Sequence, residues 1–224
     1  MKYFNIAIDG PAGAGKSTIA KKVARKLEYI YVDTGAMYRA LALYFINNQI
    51  DSSDKEKIEA SCQGVDVSID YKDGIQIVLL NGENVNNRIR TEEVGNMASA
   101  ISAYKMVRIK LVKLQQELAK KANVVMDGRD IGTHVLPNAE LKIYLTANSK
   151  ERARRRWLQL KESGIEADIN KIEQDIIERD SQDMNRKFAP LKKADDAICI
   201  DSSDLTIEDV VNEILFYYKS VKLQ

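Results

Sequence analysis

The amino-acid sequence predicts an α/β fold in which a parallel sheet is covered on both faces by helices. Three observations lead there. Short apolar runs recur at residues 4–8, 29–32, 124–126, 141–145 and 197–200, as expected of strands buried on both faces. The segments between them mostly repeat apolar residues at helical spacing, as Ile19, Ala20, Val23, Ala24 and Leu27 do. The glycine-rich stretch Gly10-Pro11-Ala12-Gly13-Ala14-Gly15-Lys16-Ser17 joins the first run to the first helical pattern.

That stretch fits Gly-x4-Gly-Lys-Ser/Thr, the pattern of a phosphate-binding loop. Its glycines permit a backbone path in which successive N–H groups point at phosphate oxygens, Lys16 supplies a positive charge and Ser17 a ligand for Mg²⁺. A helix starting near Lys16 adds the positive end of its dipole. A plain strand-to-helix turn is the alternative reading of the same residues. Lys16 is expected on an exposed cradle rather than in the core.

Composition narrows the function. The chain has 224 residues, with 34 Lys and Arg against 33 Asp and Glu, a net charge of +1. That is enough chain for one core domain with an appendage, and the charge argues against coating nucleic acid or an anionic membrane. Its two cysteines, Cys62 and Cys199, give neither a disulfide framework nor a metal-ligand spacing, so a reducing cytoplasm is expected. The apolar run near the N-terminus runs straight into the glycine loop, which is unlike a signal peptide or membrane span.

The α/β rhythm breaks once. Residues 65–70 alternate, Asp73-Gly74 is a hairpin signal, residues 75–80 read as a second strand, and Asn81-Gly82 turns into residues 83–85. A small antiparallel meander is expected here, with a surface hairpin of no special role as the alternative. A helical region over about 92–121 follows, broken near Ser102 to Lys105.

Four further segments carry chemistry. Asp33-Thr34-Gly35-Ala36-Met37-Tyr38-Arg39 lies at the carboxyl end of the second strand, where open parallel sheets bind ligands; Asp33 or Thr34 as a helix cap is the alternative. Asp127 ends an apolar strand, as a carboxylate for Mg²⁺ or its waters must, and Gly128-Arg129-Asp130 adds a guanidinium fork and an acceptor. The alternative there is a salt-bridge corner. Arg152, Arg154, Arg155 and Arg156 cluster in one stretch. Helical geometry puts Arg152, Arg155 and Arg156 on one face and Arg154 away from it, and like-charge repulsion there calls for an anionic partner; a solvated helix or an RNA-binding patch is the alternative. Glu178 to Arg186 is rich in Arg and Asp without an apolar period. The single histidine, His134, has no second imidazole and is expected to be structural or at the surface.

Arginines thus come from separate places in the chain: Arg39, Arg108, Arg129, the 152–156 cluster, and Arg179 with Arg186. No Ser-His-Asp or Cys-His set is visible. Phosphoryl transfer needs alignment and charge neutralisation more than general bases, and an acceptor that is itself a phosphate needs the most positive charge.

The motifs at 8–17, 33–39, Asp-Gly-Arg-Asp-Ile-Gly-Thr at 127–133 and Glu-Arg-Asp at 178–180 closely resemble those of the bacterial cytidylate kinases, nucleoside monophosphate kinases among the P-loop NTPases. The resemblance runs in order along essentially the whole chain. It implies a five-stranded parallel sheet in the order 2-3-1-4-5, flanked by helices. It also implies a core over about 1–33, 122–148 and 187–224, a nucleotide-binding subdomain over about 34–121 with its insert at about 63–90, and a helical lid over about 149–164. The implied reaction moves the ATP γ-phosphate to CMP or dCMP with Mg²⁺, giving ADP with CDP or dCDP, a step of pyrimidine nucleotide metabolism. ATP would be held by Gly10, Pro11, Ala12, Gly13, Ala14, Gly15, Lys16, Ser17 and Thr18, and the metal by Ser17 and Asp127. Thr34, Tyr38, Arg39, Ser99, Arg108, Arg129, Asp130, Arg179, Asp183 and Arg186 would hold CMP. In that scheme Arg39 and Arg129 take the acceptor phosphate, Ser99, Arg108 and Asp130 lie near the base, and Arg179 and Asp183 near the sugar. Lys16, Arg129, Arg152, Arg155 and Arg156 would be catalytic. No nucleic acid or membrane partner is expected, and a monomer is.

Three other functions stay open on sequence grounds: a kinase for a small hydroxyl acceptor with Asp33 as general base, a nucleotide-switched regulator, and an RNA-binding P-loop protein. The absence of Asn-Lys-x-Asp disfavours a GTPase form of the second, and net charge disfavours the third.

Overall fold

In the computed structural model, which describes residues 3–223, the described residues form a five-stranded parallel sheet, a three-stranded antiparallel sheet and the helices around them. The strands are β1 (Asn5–Asp9), β2 (Ile30–Asp33), β3 (Val67–Lys72), β4 (Ile75–Leu80), β5 (Glu83–Asn84), β6 (Val124–Gly128), β7 (Leu141–Thr146) and β8 (Ile198–Asp201). The helices are α1 (Lys16–Leu27), α2 (Thr34–Asn47), α3 (Lys55–Gly64), α4 (Glu92–Ile101), α5 (Lys105–Ala119), α6 (Ser149–Glu162), α7 (Ile169–Met184) and α8 (Ile207–Lys222). The larger sheet has the order β2-β6-β1-β7-β8. Numbering its strands alone gives 2-3-1-4-5, the order the resemblance implies.

The chain divides into two compact units, one built on Ile30–Val124 and the other on Phe4–Tyr29 with the chain from Val125 onward. In the second, β1 runs parallel to β7 with Ile6 opposite Leu141 and Ile8 opposite Ile143, and β7 runs parallel to β8. Ile6, Ala7 and Ile8 are fully buried, as the unbroken apolar run requires. Ile19, Ala20, Val23 and Ala24 line the buried stripe of α1, and α8 starts on a capping box of Thr206 and Asp209.

In the first unit, β3 and β4 pair antiparallel with Val67 opposite Leu80 and Lys72 opposite Ile75, around the turn at Asp73-Gly74. Asn81 and Gly82, both at positive φ, make the second turn. The helical region is broken as expected, α4 ending at Ile101 and α5 starting at Lys105. The meander also has a structural role. Gln76 of β4 accepts from Asp33 N through Oε1 at 2.8 Å and donates through Nε2 to Asp33 O at 3.2 Å. It therefore pins the end of β2 where the 33–39 motif begins.

Two glycine positions decide the start of the phosphate loop. Gly10 has φ 147, and a Cβ there would lie 1.9 Å from the carbonyl oxygen of Leu145, so β7 approaches as close as a glycine allows. Gly15 caps α1 at φ 86. Gly10→Ala should lower the urea midpoint sharply, since backbone strain alone costs about 1–3 kcal/mol and the colliding atom is backbone. Gly64→Ala, with nothing within 4 Å of the new methyl, should leave it unchanged or raise it slightly. Equal midpoints for the two variants would contradict the close approach at Gly10.

Candidate active site

The second unit holds the phosphate loop, and its lysine is not on an exposed cradle as the sequence suggested. Lys16 is 6% exposed, and its Nζ donates to Pro11 O at 2.6 Å. The loop backbone wraps the side chain, so the ammonium sits inside the turn it serves. Burial first, and the Arg129 guanidinium second, push its pKa well below the ordinary lysine value, against the pull of Asp127, Asp9 and Asp183. Beside it, Ser17 Oγ donates to Asp127 Oδ2 at 2.8 Å. A hydroxyl and a carboxylate so placed are a donor set for a hard divalent cation that takes its remaining oxygens from phosphate and water. Among the described residues no cluster of three or more His, Cys, Asp or Glu side chains forms a closed metal cage.

Asp127 is the penultimate residue of β6, and the chain then passes Gly128, Arg129 and Asp130 into a π-helical turn, Ile131–Val135. His134 N and Val135 N both donate to Asp130 O, and the His134 ring is exposed against Phe188.

Asp183 of α7 organises the arginines. Arg129 Nε donates to its Oδ2 at 2.9 Å, Arg186 Nη1 lies 3.6 Å from its Oδ1, and the Arg179 charge acts on it as well. Burial alone would raise its pKa, but Arg129 and Arg186 hold the carboxyl below the ordinary value. Three guanidinium groups thus converge on one carboxylate, a clustering of fork-shaped donors of the kind that suits a phosphate.

The arginine cluster on α6 departs from the face predicted for it. Arg152 is 7% exposed: Nη1 pairs with Asp180 and donates to Ala12 O at 2.8 Å, and Nε donates to Ala147 O. Asp180 Oδ1 in turn accepts from Ala12 N at 2.9 Å. Both backbone groups of one phosphate-loop residue are thus held by an ion pair between α6 and α7. Arg155 donates to Glu151 and, through Nη2, to Ser202 O at 2.5 Å, while Arg156 is exposed and reaches Gln159. Arg154 pairs with Glu151, whose pKa Arg154 and then Arg155 pull down to about 2 against its burial. Arg152 and Arg155 thus have internal anionic partners, Asp180 and Glu151, while Arg156 meets the Gln159 amide. The α6–α7 pair has its own apolar cluster of Ala153, Ile172 and Ile176.

In the first unit, Asp33 caps α2 by accepting from Ala36 N at 2.9 Å, and its other oxygen accepts from Arg90 Nη2 at 2.6 Å. With both oxygens in use it is poorly placed to be a general base. Thr34 is buried. Arg39 Nη1 donates to Ile89 O at 3.1 Å and Thr91 O at 3.3 Å, and a Cβ on Gly95 would come within 3.1 Å of the guanidinium. Arg108, 1% exposed, donates to Ser102 O, and its Cζ lies 5.8 Å from the centre of the Tyr38 ring. Ser102 Oγ donates to Ser99 O at 2.7 Å. Tyr38, Arg108 and Ser99 therefore share one neighbourhood, and Arg39 is held beside α4. Sequence reasoning gave no role to Asp9, Gln76, Gly95 or Asp180, although Asp9 and Asp180 lie within the motifs at 8–17 and 178–180 that carry the resemblance.

The cytidylate kinase family model matches residues 6–220. The chain belongs to the cytidylate kinase family. It is 55% identical over 223 residues to a cytidylate kinase of Caldicellulosiruptor bescii, covering 99% of each chain. To one of Bacillus thuringiensis it is 46% identical over 214 residues, covering 96% of this chain and 95% of the other. A crystal structure of an uncharacterized protein from Eubacterium ventriosum superposes with a TM-score of 0.56 at 14% identity over 98% of this chain and 99% of that one, a likeness of fold alone. Membership of the family makes the chain a phosphotransferase of the kinase type with the nucleotide-binding P-loop fold. No described helix is long and apolar enough to cross a membrane.

Breaking the Arg152–Asp180 pair from either side leaves a buried charge uncompensated, at a cost of about 3–5 kcal/mol. Arg152→Ala and Asp180→Ala should each lower the urea midpoint, whereas Arg154→Ala, at an exposed guanidinium, should leave it unchanged. An unchanged midpoint for Arg152→Ala would return that arginine to a substrate-facing role.

Proposed function

We propose that the protein transfers the γ-phosphate of ATP to CMP or dCMP in a Mg²⁺-dependent reaction, producing ADP and the corresponding diphosphate. The convergence of Arg129, Arg179 and Arg186 on Asp183, in the unit that carries the phosphate loop, is the observation that supports this most strongly. A hydroxyl acceptor has no need of it. A phosphate acceptor does, because two polyanions must be brought within bonding distance.

In this reading residues 10–18 hold the ATP phosphates, with Lys16 directed to the transferring group. Ser17 and Asp127 would hold Mg²⁺, which supplies neutralisation of charge on the phosphate oxygens. The attacking oxygen of CMP is already ionised near neutral pH, so no side chain has to remove a proton. Arg39 and Arg129 fix the acceptor phosphate, Arg186 adds charge, and Arg179 and Asp183 attend the sugar. Thr34, Tyr38, Ser99, Arg108 and Asp130 are assigned to the nucleoside. Asp130 can accept from the cytosine amino group, which uracil lacks. We assign Arg155 and Arg156, on a 149–164 lid, to the transferring phosphate, and Arg152 to holding the loop beneath it. A cytoplasmic location accords with the two free thiols, Cys62 and Cys199.

A coupled ADP assay across the common nucleoside monophosphates tests the proposal. CMP and dCMP should be the best acceptors, and chelation of Mg²⁺ should abolish turnover. Asp130→Ala should lose CMP use far more than UMP use, while Arg129→Ala should weaken all acceptors alike. AMP or GMP outperforming CMP, or equal loss of CMP and UMP in Asp130→Ala, would overturn it.

A further inference from the structure

Asp9 ends β1, directly before the first glycine of the phosphate loop, and is 5% exposed. Its Oδ1 accepts from Ile131 N at 2.8 Å and its Oδ2 from Gly132 N at 2.7 Å. These are the first two residues of the π turn, and Arg129 and Asp130 immediately precede them. A carboxylate spread over two successive N–H groups fixes the orientation of both peptide planes, which a single hydrogen bond cannot do. The far side of the turn is closed as well. A Cβ on Gly132 would lie 3.4 Å from Asp9 Oδ2 and 3.2 Å from Lys142 Cδ. The Lys142 ammonium is engaged elsewhere, with Asp196 at 2.8 Å and 2.9 Å and Pro137 O at 2.5 Å. What holds Asp9 in place is thus the backbone of the turn and not the lysine.

We infer that Asp9 is a positioning residue for the acceptor: by gripping Ile131 and Gly132 it sets the turn that carries Arg129 and Asp130, and registers that turn on the strand that leads into the phosphate loop. The inference rests on the assignment of Arg129 and Asp130 to the acceptor. It predicts a grip that depends on the charge of Asp9. The charged and titratable groups facing Asp9 are Asp130 from the turn, Lys16 from α1 and Tyr144 from β7. Burial pushes its pKa up to about 6, opposed by the two N–H groups and Lys16 and reinforced by Asp130. At pH 8 Asp9 is ionised and accepts both bonds. Below about pH 6 one oxygen carries a proton where the turn requires an acceptor, and the carboxyl then resembles a carboxamide.

Stability moves with the opposite sign. A carboxyl whose pKa rises on folding contributes most at low pH, and that contribution is lost as pH rises from the ordinary carboxylate value through about 6. Weaker acceptor use on acidification therefore cannot be unfolding driven by this group.

The test compares the parent enzyme with Asp9→Asn at pH 8 and pH 5.5, measuring KM for CMP, KM for ATP and kcat, together with amide exchange at Ile131 and Gly132. At pH 8 the KM for CMP should rise about tenfold, the scale of one hydrogen bond to a charged group, with KM for ATP changed less than about twofold. The ratio of the two CMP values should shrink toward one at pH 5.5. Ionisation of the CMP phosphate falls in the same range but is common to both enzymes and cancels in the ratio. Exchange at Ile131 and Gly132 should quicken in the variant more than exchange in β7. An unchanged KM for CMP, or a ratio that does not move with pH, would overturn the inference. If the parent enzyme does not use CMP, the acceptor assignment fails by itself, and unchanged exchange at Ile131 and Gly132 then overturns the grip separately. Should Asp9→Asn not fold, Gly132→Ala crowds the same grip and should raise KM for CMP but not for ATP; equal effects on both would overturn the inference.

Discussion

The unit that carries the phosphate loop is arranged around one desolvated ammonium. Lys16 is buried and donates to a backbone carbonyl, and Arg129 repels it while Asp127, Asp9 and Asp183 attract it. A buried cation in such a setting is costly until an anion arrives. Each of the three acids is also engaged elsewhere. Asp127 accepts from Ser17, Asp9 from the π turn, and Asp183 from Arg129. The carboxylates therefore hold structure.

The same economy governs the arginines. Arg152 is committed through Nη1 and Nε to Asp180 and to two carbonyls, so it braces the loop. Arg129 and Arg186 share Asp183, and the Arg179 charge acts on it as well. One carboxylate that gathers several arginines keeps them oriented before the substrate arrives, which is what electrostatic preorganisation requires.

Much of this was legible in the sequence because it is local. The loop pattern, the strand ending in Asp127, the turns at Asp73-Gly74 and Asn81-Gly82, and the break between α4 and α5 each depend on neighbours within a few residues. What could not be read depends on partners far along the chain. Arg152 looked like one of three arginines on a free helical face; its partners Ala12 and Asp180 lie 140 and 28 residues away. Gln76 reaches Asp33 across 43 residues, and Asp9 reaches Ile131 of the π turn across 122. The burial of Lys16 was missed for a related reason, since a residue pattern specifies which groups meet a phosphate but not how deeply the loop encloses the lysine.

On this reading the arginines gathered on Asp183 serve an acceptor that is already an anion. Cytidine and CMP offer the same base and sugar and differ only in the phosphate, so phosphate transfer from labelled ATP to each, at equal concentration with Mg²⁺, tests it most directly. CMP should be converted to the diphosphate while cytidine gives no product above background; phosphorylation of cytidine at a comparable rate would contradict the reading.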